Sequence, residues 1–367
     1  MALQCGIVGL PNVGKSTLFN AVSNSAKAVA SNYRFCTIEP NVGLVNVPDE
    51  RLQLLAELVI PERIMPTVIE FVDIAGLVKG ASKGEGLGNK FLANIREVDA
   101  IVHVIRCFED DNVIREEGAI NPVSDKEIID TELQLKDLES IEKKLQKSEK
   151  MAKSGGDAKA KKEVETLILC KEHLMQGKSI RSLNLSKEDR TAVDDLHLLT
   201  IKPVIYVANV DEASLLTGNK YSQALIEAVK EENAEVVVIN NSLEAQIAEM
   251  ENEDDKKLFL AEYGLTESGL NRLIRASYKL LNLITYFTAG VQEVRAWTIE
   301  KGWKAPQAAG VIHSDFEKGF IKAEVIKLAE YQKYKSELAC REAGKVAIEG
   351  KEYVVADGDV MHFRFNV

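Results

Sequence analysis

The chain has 367 residues, of which 46% are hydrophobic, and a formal net charge of -11 at pH 7. This length exceeds what one hydrophobic core usually organises, so we expect a globular protein of two or three domains. Because a phosphate backbone repels net negative charge, the composition excludes a surface that attracts nucleic acid everywhere. Any contact with RNA must be a local patch.

Cysteine usage and hydropathy indicate the cytoplasm. The five cysteines are an odd number and form no C-x-x-C pair, which suits free thiols in a reducing compartment. The N-terminus shows no basic segment followed by an apolar stretch and a cleavage site, and no apolar run approaches membrane-spanning length. We therefore expect a cytoplasmic, monomeric protein with no membrane partner.

Strands alternate with helices in the first part of the chain. The apolar residues 5–9 enter a glycine-rich loop, and helical spacing follows at 16–22. Later strand candidates, nearly continuous in β-branched or aliphatic residues, are 67–72, 100–105, 203–208 and 235–239. Runs of this kind are typical of strands buried on both faces. The pattern predicts an α/β fold with a doubly wound, mostly parallel sheet.

Apolar residues recur every three or four positions between residues 127 and 199, which predicts two helices. A turn signal, Ser-Gly-Gly-Asp at 154–157, separates them, so we expect an antiparallel helical hairpin inserted into the sheet domain. Lysines gather around its tip, namely Lys147, Lys150, Lys153, Lys159, Lys161 and Lys162. This patch is either a solvated helix end or a surface that faces RNA or the ribosome.

A last helix is predicted at 268–282, and short strands follow it. The strand candidates are 293–299, 319–325, 353–355 and 360–365, which is typical of a small β-rich domain. We therefore assign 1–126 and 200–282 to a nucleotide-binding domain, 127–199 to the helical hairpin, and 283–367 to the β-rich domain. Trp297 and Trp303 in this tail are either core residues or stacking surfaces for RNA.

Residues 9–16 form a phosphate-binding loop. They read Gly-Leu-Pro-Asn-Val-Gly-Lys-Ser, the G-x-x-x-x-G-K-[ST] pattern, between a predicted strand and a predicted helix. Phosphate oxygens need many donors at once, and glycines let backbone N–H groups converge on them. We expect Lys15 to reach the β- and γ-phosphates and the Ser16 hydroxyl to bind Mg²⁺. The predicted nucleotide-binding residues here are Asn12, Val13, Gly14, Lys15, Ser16 and Thr17.

A second signal, Phe-Val-Asp-Ile-Ala-Gly at 71–76, follows some sixty residues later. Asp73 ends a hydrophobic strand and is predicted to hold the metal through water, while the N–H of Gly76 senses the γ-phosphate. Between the two motifs, Thr37 offers a hydroxyl to complete the metal shell when triphosphate is bound. The predicted Mg²⁺ ligands are thus Ser16, Thr37 and Asp73, and Lys15, Thr37 and Gly76 are expected to act in hydrolysis. The alternatives are a structural Asp turn and a local hydrogen bond of the threonine.

The base site departs from the GTPase pattern. GTPases carry Asn-Lys-x-Asp after the strand that corresponds to the one predicted here at 203–208. The aspartate of that motif accepts hydrogen bonds from guanine N1–H and the 2-amino group. Residues 209–212 here read Asn-Val-Asp-Glu, with a longer glutamate at the reading position. Adenine has an acceptor at N1 and no amine at C2, so a carboxylate there gains nothing from it. We therefore expect ATP in preference to GTP; in the alternative, Glu212 reads guanine.

These motifs, with the glycine-rich stretch at 80–91 and the segment at 308–320, resemble the YchF family of Obg-related P-loop NTPases over essentially the full chain. The resemblance implies a G domain interrupted by a helical hairpin and a C-terminal TGS domain of β-grasp form. It also implies ATPase activity and ribosome binding during translation or stress. In that family the adenine is held by a side chain and a backbone that correspond to Asn209 and Val210.

Three further positions bear on hydrolysis. Leu77 stands where Ras-like enzymes place the glutamine that orients the attacking water, so slow intrinsic hydrolysis is expected. Asn12 matches the asparagine with which related NTPases hold K⁺ beside the phosphates; alternatively it only shapes the turn. Many relatives carry a histidine where this chain has Arg115, which puts the role of that position in doubt.

Two functions compete on this pattern. The first is an Mg²⁺-dependent ATPase that associates with the ribosome, through its large subunit or as a whole, or with ribosomal RNA. RNA contact is then expected through the hairpin tip and the TGS-like tail. The second is a GTP-binding switch whose output is binding to RNA or protein. A metabolic kinase would need an acceptor pocket and a catalytic base, and the sequence carries neither signature.

Overall fold

The structure is a computed structural model that describes residues 3–30, 41–74, 87–113, 118–153, 158–232 and 234–366. The strands are β1 (Gln4–Val8), β2 (Val42–Asn46), β3 (Arg63–Met65), β4 (Val68–Asp73), β5 (Ala100–Arg106), β6 (Val204–Asn209), β7 (Glu235–Ile239), β8 (Leu283–Ala289), β9 (Glu293–Glu300), β10 (Phe320–Lys327), β11 (Ala347–Glu349) and β12 (Asp359–Phe365). The first helices are α1 (Lys15–Ala30), α2 (Glu50–Val59), α3 (Leu87–Glu97), α4 (Pro122–Lys153), α5 (Ala158–Met175), α6 (Lys187–Val193) and α7 (Lys220–Val229). They are followed by α8 (Asn241–Glu249), α9 (Glu253–Glu262), α10 (Gly269–Leu280), α11 (Ala305–Ile312), α12 (Ser314–Lys318), α13 (Leu328–Tyr334) and α14 (Glu337–Glu342).

The first sheet has the strand order β2-β4-β1-β5-β6-β7. β1 pairs in parallel with β4 and β5, and the pairs β5–β6 and β6–β7 are also parallel. Every residue of β5 and β6 is buried, as continuous apolar runs predict for strands covered on both faces. This confirms the predicted doubly wound, mostly parallel sheet. The carboxyl ends of its parallel strands meet at one edge, where ligands of such folds bind.

The helical hairpin is also confirmed. α4 and α5 run antiparallel, since Lys171 Nζ lies 2.8 Å from Glu142 Oε1 and the Gln134 amide donates to the carbonyl of Gly177 at 3.1 Å. α4 begins at Pro122, earlier than the predicted residue 127, because a proline fits the first helical position. The linking residues 154–157 lie outside the described residues. In the described ranges, no helix combines the length and the apolar character needed to cross a membrane.

The second sheet has the order β11-β10-β12-β8-β9-β3 and mixes antiparallel pairs with the parallel pairs β12–β8 and β3–β9. Its core centres on Tyr286 and Phe363, whose rings meet edge to face at 5.7 Å. Trp297 and Trp303 both pack against this core. The prediction of a strand at 353–355 is wrong, because Val354 forms only an isolated bridge to Lys304. The helices α11 to α14 were not predicted.

The described residues form two compact units that do not follow the order of the chain. One comprises Met1–Lys27, Cys36–Leu44 and Glu70–Leu273, and the other Ala28–Phe35, Val45–Ile69 and Ile274–Val367. α2 and β3 thus belong to the second unit. There α2 buries Leu52 and Leu55 with Phe287, and β3 pairs with β9. The three predicted domain ranges stay predictions.

A balanced set of four buried charges ties the hairpin to the first sheet. Lys126 Nζ, at the start of α4, lies 2.6 Å from Asp130 Oδ2 and 2.5 Å from Glu232 Oε1. Arg181, beyond the end of α5, reaches the same two carboxylates at 3.3 and 3.4 Å. Removing one member would leave a buried charge without compensation, which is strongly destabilising. The cluster therefore holds both ends of the hairpin.

His103 lies beside this cluster on β5. Its ring is buried, with its centroid 5.5 Å from that of Tyr206 on the neighbouring strand. Burial lowers the pKa of His103 to about 4, and the positive charges of Lys126 and Arg181 act in the same direction while Asp130 opposes them. The imidazole is therefore neutral in the folded protein at neutral pH.

We expect His103 to make folding sensitive to acid. Between pH 6.5 and about 4 the unfolded chain binds a proton that the folded chain does not, so stability falls as the pH falls through this window. Between pH 7.5 and 5 the lost free energy of unfolding should be about 2 kcal/mol. Between these two pH values, the free energy of unfolding measured in urea should fall by about 2 kcal/mol less in the variant His103→Gln than in the unmodified protein. The exposed His197→Gln serves as the control, and equal pH dependence in both variants would contradict the assignment.

Candidate nucleotide-binding site

The loop between β1 and α1 is shaped by its two glycines. A Cβ atom on Gly9 would lie 2.5 Å from the carbonyl oxygen of Val104, and one on Gly14 would lie 2.5 Å from Asn209 Nδ2. Gly14 also has a φ of +97°, and Asn12 a φ of +60°, in the left-handed region. The backbone therefore passes too close to β5 and β6 for larger side chains at these glycines.

The first turn of α1 presents the features that bind anions. α1 begins at Lys15, and its first turn contains no acidic residue, so the partial positive charge of the helix N-terminus is not neutralised there. Ser16 is exposed and Thr17 half-buried in this turn. The Leu18 N–H donates to the carbonyl of Gly14 at 3.0 Å and closes the first hydrogen-bonded turn. The predicted residues Val13 to Thr17 are thus brought together around one helix terminus.

Asp73 lies next to this loop because β4 pairs with β1, with Asp73 opposite Ile7. Burial raises the pKa of Asp73, and the charge of Lys15 lowers it. Burial likewise lowers the pKa of Lys15, and Asp73 opposes that shift. The ammonium group of Lys15 donates to the carbonyl of Leu10 at 3.4 Å. A half-buried lysine and a half-buried carboxylate therefore lie close enough at the end of the loop to shift each other's pKa.

The residues present fit a magnesium ion. Asp73 Oδ1 is buried and has no hydrogen-bond partner among the described residues, so it is an oxygen acceptor that lacks a donor or a cation. Ser16 supplies a second hard oxygen in the first turn of α1. No group of three or more His, Cys, Asp or Glu residues suited to a metal occurs in the described ranges. Mg²⁺ keeps waters and substrate phosphates as ligands in such sites, so a small number of protein oxygens suits it.

Several predicted site residues lie outside the described residues. These are Thr37, Gly76, Leu77 and Arg115, together with part of the glycine-rich stretch at 80–91. Their predicted roles in metal binding and hydrolysis stay predictions.

Asn209 braces the phosphate loop from the end of β6. Its side chain is buried, and Nδ2 donates to the carbonyl of Val13 at 3.0 Å. Its Oδ1 accepts from the backbone N–H of Asn241 at 3.0 Å. The predicted contact of Asn209 with adenine stays a prediction, but at least one donor and one lone pair of its amide are already engaged.

Asn241 is a site residue that the sequence analysis missed. It begins α8, directly beyond β7, and its Nδ2 donates to the carbonyl of Gly14 at 3.0 Å. The available signal was the pair Asn240-Asn241 after the last strand of the parallel sheet, at the edge where the phosphate loop also lies. By itself, however, such a pair of asparagines indicates only a helix cap. Asn240 does cap α8, since its side chain accepts from Leu243 N–H at 2.8 Å.

Val210 is held by backbone hydrogen bonds, whereas Glu212 is exposed. The Val210 N–H donates to the carbonyl of Ile239 at 2.9 Å, and the Val210 carbonyl accepts from Asn240 Nδ2 at 2.8 Å. A base contact at Val210 would therefore use the second lone pair of that carbonyl. Glu212 begins a short 3₁₀ turn and is exposed, while the neighbouring Asp211 caps this turn through Ser214 N–H.

The loop after β5 borders the same edge. Its first residue, Cys107, donates its backbone N–H to the carbonyl of Asn209 at 2.8 Å. The guanidinium of Arg106, which is buried, donates to the carbonyls of Phe108, Asp110 and Val113 at 3.0 to 3.1 Å. A single cation therefore organises this loop, and sequence pattern gave no indication of it.

The loop geometry, the helix terminus and the unpaired Asp73 oxygen on a parallel sheet define a P-loop nucleotide-binding protein. A family model described as a 50S ribosome-binding GTPase matches residues 4–153, and the model YchF-GTPase_C, described as a protein of unknown function (DUF933), matches residues 283–366. Two relatives called "Ribosome-binding ATPase YchF", from Pasteurella multocida and Bacillus subtilis, are each 56% identical with full coverage of both chains. The solved structure of the Schizosaccharomyces pombe YchF GTPase is 40% identical, with a TM-score of 0.90 and coverage of 99% of this chain and 97% of that one. The chain belongs to the YchF family.

Proposed function

We propose that this protein binds ATP with Mg²⁺, hydrolyses it slowly and associates with the ribosome. The observation that carries the proposal is the buried Asp73 oxygen without a partner, beside Lys15 and the first turn of α1. Most buried carboxylate oxygens have a partner, and a bound cation would supply one here. The printed names of the bacterial relatives, which call them ribosome-binding ATPases, support the same function.

Within this proposal each residue of the loop has a defined task. Backbone N–H groups of residues 12–17 bind the phosphates, and Lys15 binds the β- and γ-phosphates. Ser16, Thr37 and, through water, Asp73 would hold Mg²⁺, which would neutralise charge on the phosphates. Gly76 senses the γ-phosphate through its N–H. Since Leu77 supplies no side chain that orients water, intrinsic turnover is slow.

The base is recognised at Asn209, Val210 and Glu212. We propose adenine, held by the Asn209 amide and the Val210 carbonyl, because adenine offers the exposed Glu212 no donor at N1 or C2, where guanine has one at each. The names of solved and curated relatives differ on this point, since the Schizosaccharomyces pombe protein is called a GTPase. The competing function, a GTP-binding switch, rests on Glu212 reading guanine.

We expect ATP to bind more tightly than GTP in titrations with fluorescent analogues of both. The matched variant Glu212→Gln keeps the shape and removes the charge, and it should leave ATP affinity within about twofold, since no hydrogen bond to adenine is lost. Clearly tighter GTP binding that is lost in Glu212→Gln would establish the GTP switch instead.

We further propose that Asn12 holds K⁺ beside the phosphates, where the ion stabilises charge that develops during hydrolysis. Asn12 is exposed at the outer turn of the loop and adopts a left-handed φ of +60°. Glycine tolerates that conformation and removes the carboxamide, so Asn12→Gly separates the ligand from the turn.

ATPase rates should therefore be higher in potassium than in sodium for the unmodified protein. In Asn12→Gly we expect the two rates to become equal, because the carboxamide ligand is missing while the loop conformation is kept. Equal rates in the unmodified protein would dispose of the potassium site.

The hairpin end offers the basic surface for the ribosome. Lys147, Lys150, Lys159 and Lys161 are exposed and form no ion pair with any described residue, whereas Lys162 pairs with Asp189 at 2.8 Å. The side chain of Lys153 lies outside the described part of the chain. The patch that remains is smaller than the sequence indicated, but its free charges are consistent with phosphate binding on an acidic protein. The tail at 283–366 is a second candidate for RNA contact.

Replacing Lys150, Lys159 and Lys161 by glutamate should weaken co-sedimentation with ribosomes and flatten its dependence on salt, because fewer counterions are released on binding. The control carries the same charge change at Lys136, Lys143 and Lys171, which already pair with glutamates of the same hairpin. If both triple variants bound ribosomes equally well, the patch would be only a solvated helix end.

A further inference from the structure

Two carboxamides bind successive carbonyls of the phosphate loop. Asn209 Nδ2 donates to the carbonyl of Val13, and Asn241 Nδ2 donates to the carbonyl of Gly14, each at 3.0 Å. Asn209 and Asn241 are 5% and 1% exposed, so neither bond competes with bulk water. The two side chains are themselves linked, because the Asn241 N–H donates to Asn209 Oδ1.

These bonds fix the orientation of the N–H groups that meet phosphate. A peptide unit is planar and trans, so its N–H points opposite to its C=O. The Gly14 carbonyl and the Lys15 N–H belong to one such plane, and Asn241 holds the carbonyl end of it. Turning that carbonyl toward the carboxamide directs the Lys15 N–H away from it and keeps a carbonyl oxygen from facing the phosphates.

The Asn241 side chain is not the only partner of the Gly14 carbonyl. The Gly14 carbonyl already accepts from the Leu18 N–H at 3.0 Å, so it stays paired if the carboxamide is removed. Asn241 Oδ1 is buried and has no hydrogen-bond partner among the described residues, which costs free energy in the folded state. A buried polar atom left unpaired in this way calls for an explanation, and a role in the site would supply one.

We propose that Asn241 is a positioning residue for phosphate binding. Its carboxamide orients the peptide plane between Gly14 and Lys15, and its backbone N–H orients Asn209, which holds the preceding plane. The end of β7 thereby sets the geometry of the phosphate loop as well as that of the base site. This inference rests on the proposed nucleotide binding and adds to it a residue with no direct contact to the reacting atoms.

The test compares ligands with and without phosphates. For Asn241→Ala we expect ADP and ATP to bind about three- to tenfold more weakly, because the peptide plane that carries the Lys15 N–H loses one of its two orienting hydrogen bonds, with adenosine affinity unchanged. Asn241→Asp should weaken ADP and ATP further, because a carboxylate repels both the Gly14 carbonyl and the phosphates. The melting temperature of Asn241→Ala should stay the same or rise, since a buried unpaired oxygen is removed.

Asn252→Ala is the matched control, since Asn252 caps α9 by accepting from Asp254 N–H at 2.9 Å. It should lower the melting temperature and leave nucleotide affinities unchanged. An equal loss of adenosine and ADP affinity in Asn241→Ala, or no loss of either, would overturn the positioning role. A fall in its melting temperature comparable to that of Asn252→Ala would overturn it too. If the unmodified protein bound neither ATP nor ADP, the proposed function itself would fail.

Discussion

The phosphate loop depends on one close approach, that of the Gly14 backbone to the carboxamides of Asn209 and Asn241. This contact is possible only because β1, β6 and β7 are parallel and end at the same edge. The sheet therefore does more than carry the loop, since residues at the ends of β6 and β7 also donate hydrogen bonds to carbonyls of the loop. Glycine at position 14 is the condition for the whole arrangement.

Much of the architecture could be predicted from the sequence because its signals are local. Buried parallel strands are continuous apolar runs, and the phosphate loop has a fixed spacing, so both were found by reading short windows. The roles of Asn241 and Arg106 could not be predicted, because each depends on contacts that no short motif encodes. Lys162 shows the same limit, since only the fold reveals that Asp189 neutralises it.

The four-charge cluster around Asp130 shows how a long insertion is accommodated. The hairpin departs from the sheet domain after residue 121 and returns before β6. Each of these two ends supplies one cation, Lys126 or Arg181, and both cations pair with the same two carboxylates. A hydrophobic joint would be less demanding in orientation, whereas paired charges require one arrangement of their hydrogen bonds. His103 and Tyr206 extend that joint into β5 and β6, so hairpin and sheet share a polar core.

The assignment of α2 and β3 to the second unit has a consequence for the order in which the chain folds. Thr67 and Thr298, whose hydroxyls meet in that unit, are 231 positions apart in sequence. During synthesis Leu52 and Leu55 leave the ribosome long before Phe287 exists, so the apolar face of α2 stays uncovered while most of the chain is made. Contacts of such long range close slowly. Completion of the C-terminal unit is therefore a late step, and Leu52 and Leu55 lack their partner Phe287 until most of the chain has been made.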